Sequence, residues 1–238
     1  VYVLIHLLNH ALGVVSVAWM EAVEPYRTAL WRSLPGTVLL YGALAVHVVL
    51  ALVRVARRRS IRMPIWEAVQ MGLGLLIPFW LVNHGVGTRV LHDVFGIEDN
   101  YVHVLTLLWP GLATFQTTLL LLVWIHGCIG LHFWLRLKRW YRPAAPWLLV
   151  GAIGVPFFAT WGWIEAARRL ALTGGRHSNL TAEAANWSTG VIDGAKLAYA
   201  VAAFVALLLI PIAARLLNRG RGIRITCPDG RVVRSLPG

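Results

Sequence analysis

The residues most able to do chemistry in this sequence are its nine histidines. Ionisable side chains within apolar helices are costly, and they usually face the interior of a helix bundle, where they serve a function. Acidic residues are almost absent from the same stretches, which argues against a proton relay of carboxylates. Neutral imidazoles from facing helices are instead typical axial ligands of haem iron. Five histidines fall within long apolar stretches and a sixth ends one of them: His6, His10, His47, His126 and His132, and then His84.

The composition identifies the solvent around the helices that carry these histidines. Of the 238 residues, 58% are hydrophobic and only 13% are charged, whereas soluble domains have about 25% charged residues. The net charge of +12 sits between apolar blocks, so it indicates membrane topology and not a nucleic-acid partner. Two cysteines are too few for a disulfide scaffold or a cysteine-ligated metal site. We therefore expect an all-α integral membrane protein embedded in a lipid bilayer.

Six apolar blocks are long enough to be membrane spans. A bilayer core of about 30 Å needs about 20 apolar residues in a helix. The fourth block is too long for one plain crossing, so we expect its start, His103–Gly111, either to project past the lipid or to form a bent entry near Pro110. The first four spans carry the histidines, so they are predicted to form a haem-binding bundle that the last two brace. The blocks are Val1–Met20, Thr37–Val55, Ile65–Val82, Val104–Leu135, Trp147–Ala167 and Val191–Leu217.

The distribution of basic residues predicts the orientation of these spans. If six spans alternate in direction, fifteen basic residues lie on one side of the membrane. Five of them are between spans two and three, four are between spans four and five, and six are in the tail. Lys and Arg accumulate on the cytoplasmic face of membrane proteins. Both termini are therefore expected to be cytoplasmic. The residues on that side are Arg54, Arg57, Arg58, Arg59, Arg62, Arg136, Lys138, Arg139, Arg142, Arg215, Arg219, Arg221, Arg224, Arg231 and Arg234.

Depth within the bilayer pairs two of the histidines. His47 lies roughly 10–15 Å from the basic residues at the inner end of its span, at 1.5 Å per residue. His126 lies roughly 15 Å from Arg136 by the same measure. The two imidazoles are thus at similar depth on different helices. We expect His47 and His126 to hold one haem b in the cytoplasmic half.

The remaining histidines predict a second haem b nearer the outer face, about 15 Å away. His10 and His84 are its expected ligands, with His6 or His103 as substitutes. Each haem would then have its own ligand pair.

Other residues near these sites have two interpretations each. His132 either lies at the interface or approaches a haem propionate or a quinone. Arg89 either belongs to a plain loop or binds a propionate or a small ligand. Gly130 and Gly13, beside His126 and His10, either leave space for a porphyrin or permit close helix packing.

Several strings resemble known membrane anchors. His126-Gly-Cys-Ile-Gly130-Leu-His132 is similar to the cytochrome b subunits of succinate dehydrogenase and fumarate reductase. More closely, nearly the whole chain resembles the N-terminal anchor of a bacterial class III adenylate cyclase group. That resemblance implies a six-helix, haem-b-binding anchor followed by a [2Fe–2S] ferredoxin domain and a cyclase domain. It is also carried by His6-Leu-Leu-Asn-His10, Arg62-Met-Pro-Ile-Trp-Glu67, Gly85-Val-Gly-Thr-Arg89 and the segment from His126 to Arg136.

The C-terminal residues differ in pattern from the spans. Residues 222–233 alternate around Asp229-Gly230, which predicts a β-hairpin. We expect residues 1–219 to form the anchor and residues 220–238 to begin a truncated cytoplasmic domain, ferredoxin-like by resemblance. Cys227 alone cannot hold an iron–sulfur cluster, which needs four ligands. The [2Fe–2S] centre and the cyclase activity would therefore belong to sequence beyond this chain.

Two functions fit these observations. The leading expectation is a redox- or ligand-responsive sensor and anchor in the bacterial inner membrane that regulates a downstream cyclase domain. The alternative is a cytochrome b subunit that exchanges electrons with membrane quinone. The resemblance also implies a homodimer, because class III cyclases act as dimers. A transporter is less well supported, since the sequence lacks paired broken helices in an inverted repeat.

Overall fold

A computed structural model of the chain describes residues 1–56, 63–218, 223–226 and 232–235. Within these ranges, five helices are long and apolar enough to cross a membrane: α3, the run from α4 to α5, α7, α8 and most of α9. The described part of the chain is thus almost entirely helical, with a two-stranded hairpin near its C-terminus, and its five long apolar helices are compatible with a multi-pass membrane protein. Its helices are α1 (Tyr2–Ala11), α2 (Val17–Arg32), α3 (Leu34–Ala56), α4 (Ile65–Gly85), α5 (Leu91–Phe95), α6 (Tyr101–Leu108), α7 (Ala113–Leu135), α8 (Tyr141–Leu172) and α9 (Ala182–Asn218).

The first predicted span, Val1–Met20, is not one continuous helix. α1 ends at Ala11 and is followed by a 3-10 turn over Leu12–Val14. Ser16 then has an extended backbone, and its hydroxyl accepts a hydrogen bond from the backbone N–H of Trp19 at 3.2 Å. This N-cap starts α2, because a serine at that position satisfies a free N–H of a new helix. The apolar pattern runs through the break, so it could not reveal the cap.

The fourth predicted span bends as expected. α6 ends at Leu108 and α7 begins at Ala113, with Pro110 between them. Proline has no backbone N–H to donate and clashes with the preceding turn, so a helix seldom continues through such a segment. The prediction of a bent entry near Pro110 is confirmed.

The long helices contact one another in a closed order. α1 packs on α8, α8 on α7, α7 on α4, α4 on α9, α9 on α3, α3 on α2, and α2 on α1. The helices of the last two predicted spans, α8 and α9, therefore lie between histidine-bearing helices and pack directly against them. A Cβ at Gly13 would collide with the backbone of Gly162 in α8. Gly13 thus permits close helix packing, which decides between its two interpretations.

The tail contains the predicted hairpin. β1 (Ile223–Thr226) and β2 (Val232–Ser235) pair antiparallel, with Ile223 opposite Ser235 and Thr226 opposite Val232. Cys227 and the Asp229-Gly230 turn lie outside the described residues, as do Arg57, Arg58, Arg59 and Arg62. The assignment of the hairpin to a ferredoxin-like domain stays a prediction.

Candidate haem sites

The structure brings His47 of α3 and His126 of α7 together. Their ring centroids are 5.9 Å apart, and the ring planes are nearly perpendicular at 89°. Two imidazoles that bind one iron from opposite sides, each through a metal–nitrogen bond of about 2 Å, have centroids about 6 Å apart. We call this the inner pair. Its separation matches axial ligation of a single iron by two helices.

α4 positions the ring of His126. A Cβ at Gly74 would lie 3.1 Å from the Cε1 atom of His126, so a larger residue would push the ring away from α4 by a few tenths of an ångström. The side-chain amide of Gln70, one turn earlier, donates a hydrogen bond of 3.0 Å to the backbone carbonyl of His126. Together these residues fix both the backbone and the ring of His126.

Gln70 also occupies the space beside Gly130. A Cβ on Gly130 would come within 3.2 Å of the Gln70 amide nitrogen. The expected gap for a porphyrin next to Gly130 is therefore filled by a neighbouring side chain. The glycine instead allows the approach of α4 to α7.

Three histidines form a second group, which we call the outer cluster. The Nε2 atoms of His6 and His10 are 3.2 Å apart, one helical turn from each other on α1. The ring of His84, at the end of α4, lies 5.8 Å from the ring of His6. His6, the expected substitute, is thus the imidazole whose distance from His84 is close to that within the inner pair. No ring contact between His10 and His84 is among the described contacts. The ring of His10 instead contacts Tyr101 of α6 at 5.6 Å.

Neighbouring polar groups fix the position of His84. The side chain of Gln116, on α7, lies near the His84 ring, and the Thr88 hydroxyl donates to the His84 carbonyl at 2.7 Å. Thr88 lies in a wider π-helical turn over Val86–Val90 that continues α4. Such turns often occur at functional sites. His84 is therefore held by its own helix and by α7.

The inner pair and the outer cluster lie at different levels of the same helix. His126 rests against Gly74, and His84 lies ten residues further along α4. At the helical rise this separation is about 15 Å, in agreement with the depth expected from the sequence. One porphyrin cannot serve both levels.

A buried ion pair beside the outer cluster was missed in the sequence. Glu24 and Arg27 of α2 form a salt bridge of 3.0 Å, and both side chains are largely buried. The charge of Arg27 acts on His6, His10 and His84. Burial raises the pKa of the Glu24 carboxyl to about 7, although the charge of Arg27 opposes this change. The Glu-x-x-Arg spacing, which places the two side chains on one helical face, is the signal for this pair in the sequence.

The other candidate residues lie elsewhere. His103 is fully buried in α6, and its charged neighbours are Glu98, Asp99 and His177. Arg89 donates to the hydroxyl of Thr37 at 3.2 Å and also approaches Asp93 and the ring of Tyr41. His132 bonds the hydroxyl of Tyr141 at 2.6 Å, near the end of α7. In the described contacts, none of the three joins the inner pair or the outer cluster.

The residues present fit a haem better than a bare metal ion. Among the described residues, no group of three or more His, Cys, Asp or Glu side chains could hold a metal. Within the described residues, the Nδ1 atoms of His6, His10 and His126 are buried and have no hydrogen-bond partner. Buried polar atoms nearly always have partners in native proteins. His6, His10 and His126 thus each keep one ring nitrogen without a partner, which suits them to ligation of a haem iron.

No protein-family model, curated protein or solved structure matches this chain. The two histidine groups are therefore the features of this chain that bear on its function.

Proposed function

We propose that this chain is a six-span membrane anchor that holds two b-type haems and acts as a redox- or ligand-responsive sensor. The observation that carries the proposal is the inner pair, in which rings from α3 and α7 are 5.9 Å apart. Its ligands would be His47 and His126. The outer haem would be bound by His84 with His6 or His10. Haem supplies a one-electron redox centre whose charge changes within a poorly polarisable interior.

The proposed topology places both termini in the cytoplasm of a bacterial cell, with the anchor in the inner membrane. In this proposal the first crossing is the broken segment Val1–Met20, in which the short apolar helix Tyr2–Val14 is followed by the start of α2, and the five long helices make the others. The basic turn after α7, with Arg136, Lys138, Arg139 and Arg142, would face the cytoplasm. Reporter fusions after Lys138 and after Arg176 should report opposite sides. A fusion after Lys138 that reports the outer side would refute this orientation.

α9 would carry a change at the haem sites towards the C-terminal hairpin. It packs on α3 and α4, which bear His47 and His84. The hydroxyl of Tyr199 in α9 donates a hydrogen bond of 2.9 Å to the carbonyl of Leu75, the neighbour of Gly74. A small shift of α4 under His126 would therefore move α9. α9 runs on to Asn218, five residues before β1 begins.

The decisive experiment is haem quantitation in the freshly purified protein. Pyridine-haemochrome analysis should give about two haems b per chain. The reduced visible spectrum should be sharp and low-spin, because both axial positions would be taken by imidazole. A preparation without haem, from cells supplied with a haem precursor, would refute the proposal.

The two levels of histidine also favour a second function, that of an electron-transfer subunit. Centres separated by about 15 Å along α4 would lead electrons across the bilayer, with membrane quinone as the partner. The sensor predicts that cyclase activity in a longer chain responds to haem reduction and loses this response in Tyr199→Phe. The electron-transfer subunit predicts quinol oxidation by a soluble acceptor, at a rate that is unchanged in Tyr199→Phe.

We also propose a homodimer, on the resemblance to class III cyclases. The mass of the detergent-solubilised complex tests this proposal.

A further inference from the structure

A cleft opens between the start of α4 and the last turn of α7, away from both histidine groups. It is lined by Trp66 of α4, by Ile129, His132 and Phe133 of α7, and by Arg136, which directly follows α7. We propose that this cleft binds the phosphate headgroup and upper acyl chain of an anionic phospholipid.

The walls of the cleft suit an acyl chain. Trp66, Ile129 and Phe133 present apolar surface, and Trp66 is 62% exposed. The cleft lies where the apolar part of α7 ends and the polar turn to α8 begins. Tryptophan is enriched at this level of membrane proteins, where its ring meets both chains and headgroups. A lipid in the cleft would therefore keep its normal depth in the bilayer.

The polar end of the cleft suits a phosphate. Arg136 follows His132 by four residues, so the two side chains share one helical face. The guanidinium of Arg136 lies 4.9 Å from the centre of the Phe133 ring. This contact orients the guanidinium and leaves its N–H groups available for a ligand. Arginine binds phosphate oxygens through two parallel hydrogen bonds.

His132 would supply a further hydrogen bond to the same phosphate. Its Nδ1 lies 2.6 Å from the hydroxyl of Tyr141, the first residue of α8. When that hydroxyl donates to Nδ1, the ring proton lies on Nε2. The Tyr141 contact thus leaves Nε2 as a donor for a ligand in the cleft.

The local charge favours an anionic lipid over a neutral one. The turn after α7 carries Arg136, Lys138, Arg139 and Arg142 without an acidic residue. The acidic residue nearest in sequence to the lining of the cleft, Glu67, forms an ion pair with Arg54 at 3.8 Å. Basic pockets between membrane helices are typical binding sites for anionic headgroups.

The test measures lipid binding to the purified protein in a mild neutral detergent. Native mass spectrometry and thermal unfolding are recorded with dioleoyl-phosphatidylglycerol, dioleoyl-phosphatidylcholine or inorganic phosphate. We expect the protein to retain phosphatidylglycerol in preference to phosphatidylcholine. Arg136→Gln should weaken phosphatidylglycerol binding about tenfold, since it removes a charge-assisted bidentate contact. His132→Phe, which keeps the ring volume, should weaken it by a smaller factor.

Arg139→Gln is the matched control. It removes the same charge from the same turn, but Arg139 does not line the cleft, so binding should stay within about twofold of wild type. Equal losses in Arg136→Gln and Arg139→Gln would overturn the proposal in favour of diffuse surface attraction. Equal binding of the two lipids would overturn it as well. Stabilisation by inorganic phosphate alone would show a small-anion site and exclude the lipid. The haem content of Arg136→Gln should equal that of wild type, which separates this test from the proposed function.

Discussion

The inner pair and the outer cluster have the same side-chain chemistry but different surroundings. The inner pair consists of one imidazole from each of two helices, positioned by Gly74 and Gln70. The outer cluster has three imidazoles, with the buried Glu24–Arg27 pair nearby. The inner site thus leaves no choice of ligand, whereas the outer site offers a choice and two neighbouring charged groups. Because burial raises the pKa of Glu24 to about 7, its carboxyl is only partly ionised at neutral pH and the Arg27 charge is in excess. A cation stabilises the reduced state of a nearby centre, so we expect the outer haem to have the higher reduction potential.

The largest expected effect comes from removing an inner ligand. His126→Ala should reduce the haem content from about two to about one per chain, because the two levels share no ligand. Pyridine-haemochrome quantitation measures this loss. His177→Ala, an exposed histidine outside both groups, should leave the content unchanged. An unchanged content in His126→Ala would show that the inner pair is not a haem site.

Removing an outer ligand should have a similar effect and also identifies the partner of His84. His84→Ala should remove the outer haem. Because His6 faces His84 at 5.8 Å, we expect His6→Ala to match His84→Ala in haem content. His10→Ala should retain the haem with an altered potential, since His10 contacts the Nε2 atom of His6. The reverse result, with haem lost only in His10→Ala, would restore His10 as the ligand.

The inner pair was predictable from the sequence and the details of the outer cluster were not. Counting residues from the basic ends of two straight spans put His47 and His126 at one depth, and their rings do face each other. The same counting treated Val1–Met20 as one span, but the cap at Ser16 breaks it. The outer geometry depends on that break and on the π-helical turn after α4. Neither feature changes the apolar pattern, so spacing alone could not choose between His6 and His10.

Contacts across helices were the other features that the sequence could not give. Gly130 and Gly74 both lie in apolar helices, but only Gly74 lies under the His126 ring, whereas Gly130 faces Gln70. Their roles depend on the rotation of α4 against α7. The pairing of Arg27 with the outer cluster likewise depends on how α2 folds back after the break. The sequence pattern therefore identified the candidate residues, whereas the packing of the helices determined which of them are in contact.

Gly74 gives a graded test of the inner site. Gly74→Val should displace the His126 ring, because a Cβ there would lie 3.1 Å from Cε1. We expect a partial loss of the inner haem or a high-spin fraction in the spectrum. Gly72→Val is the matched control, since a Cβ at Gly72 meets no atom within 4 Å. Equal spectra of the two variants would argue against the packing of His126 on α4.

Removal of the Arg27 charge should change the difference in reduction potential between the outer and the inner haem without loss of haem. Arg27→Gln should lower the outer reduction potential by on the order of 30–60 mV, equivalent to tenfold or less in the electron equilibrium. The inner potential should stay nearly constant, because Arg27 acts on the outer histidines. Spectroscopic redox titration resolves both steps. A parallel shift of both potentials would instead indicate a general change in the protein.

The smallest expected effect is a pH dependence that originates at Glu24. Burial raises the pKa of this carboxyl from 4.5 to about 7, so between these values the folded protein binds more protons than the unfolded chain. The stability contributed by the protonated carboxyl is therefore fully present below about 4.5 and is lost as pH rises through 7. Glu24→Gln, which stays neutral, should show a thermal midpoint that falls about 5–10 °C less than that of wild type between pH 5 and pH 8. Histidine titration contributes equally to both proteins and cancels in this comparison.

Deprotonation of Glu24 also adds a negative charge near the outer cluster, so the outer reduction potential should fall with pH near 7 in wild type and stay flatter in Glu24→Gln. Identical pH profiles of wild type and Glu24→Gln would show that this carboxyl does not titrate in the folded protein between pH 5 and pH 8.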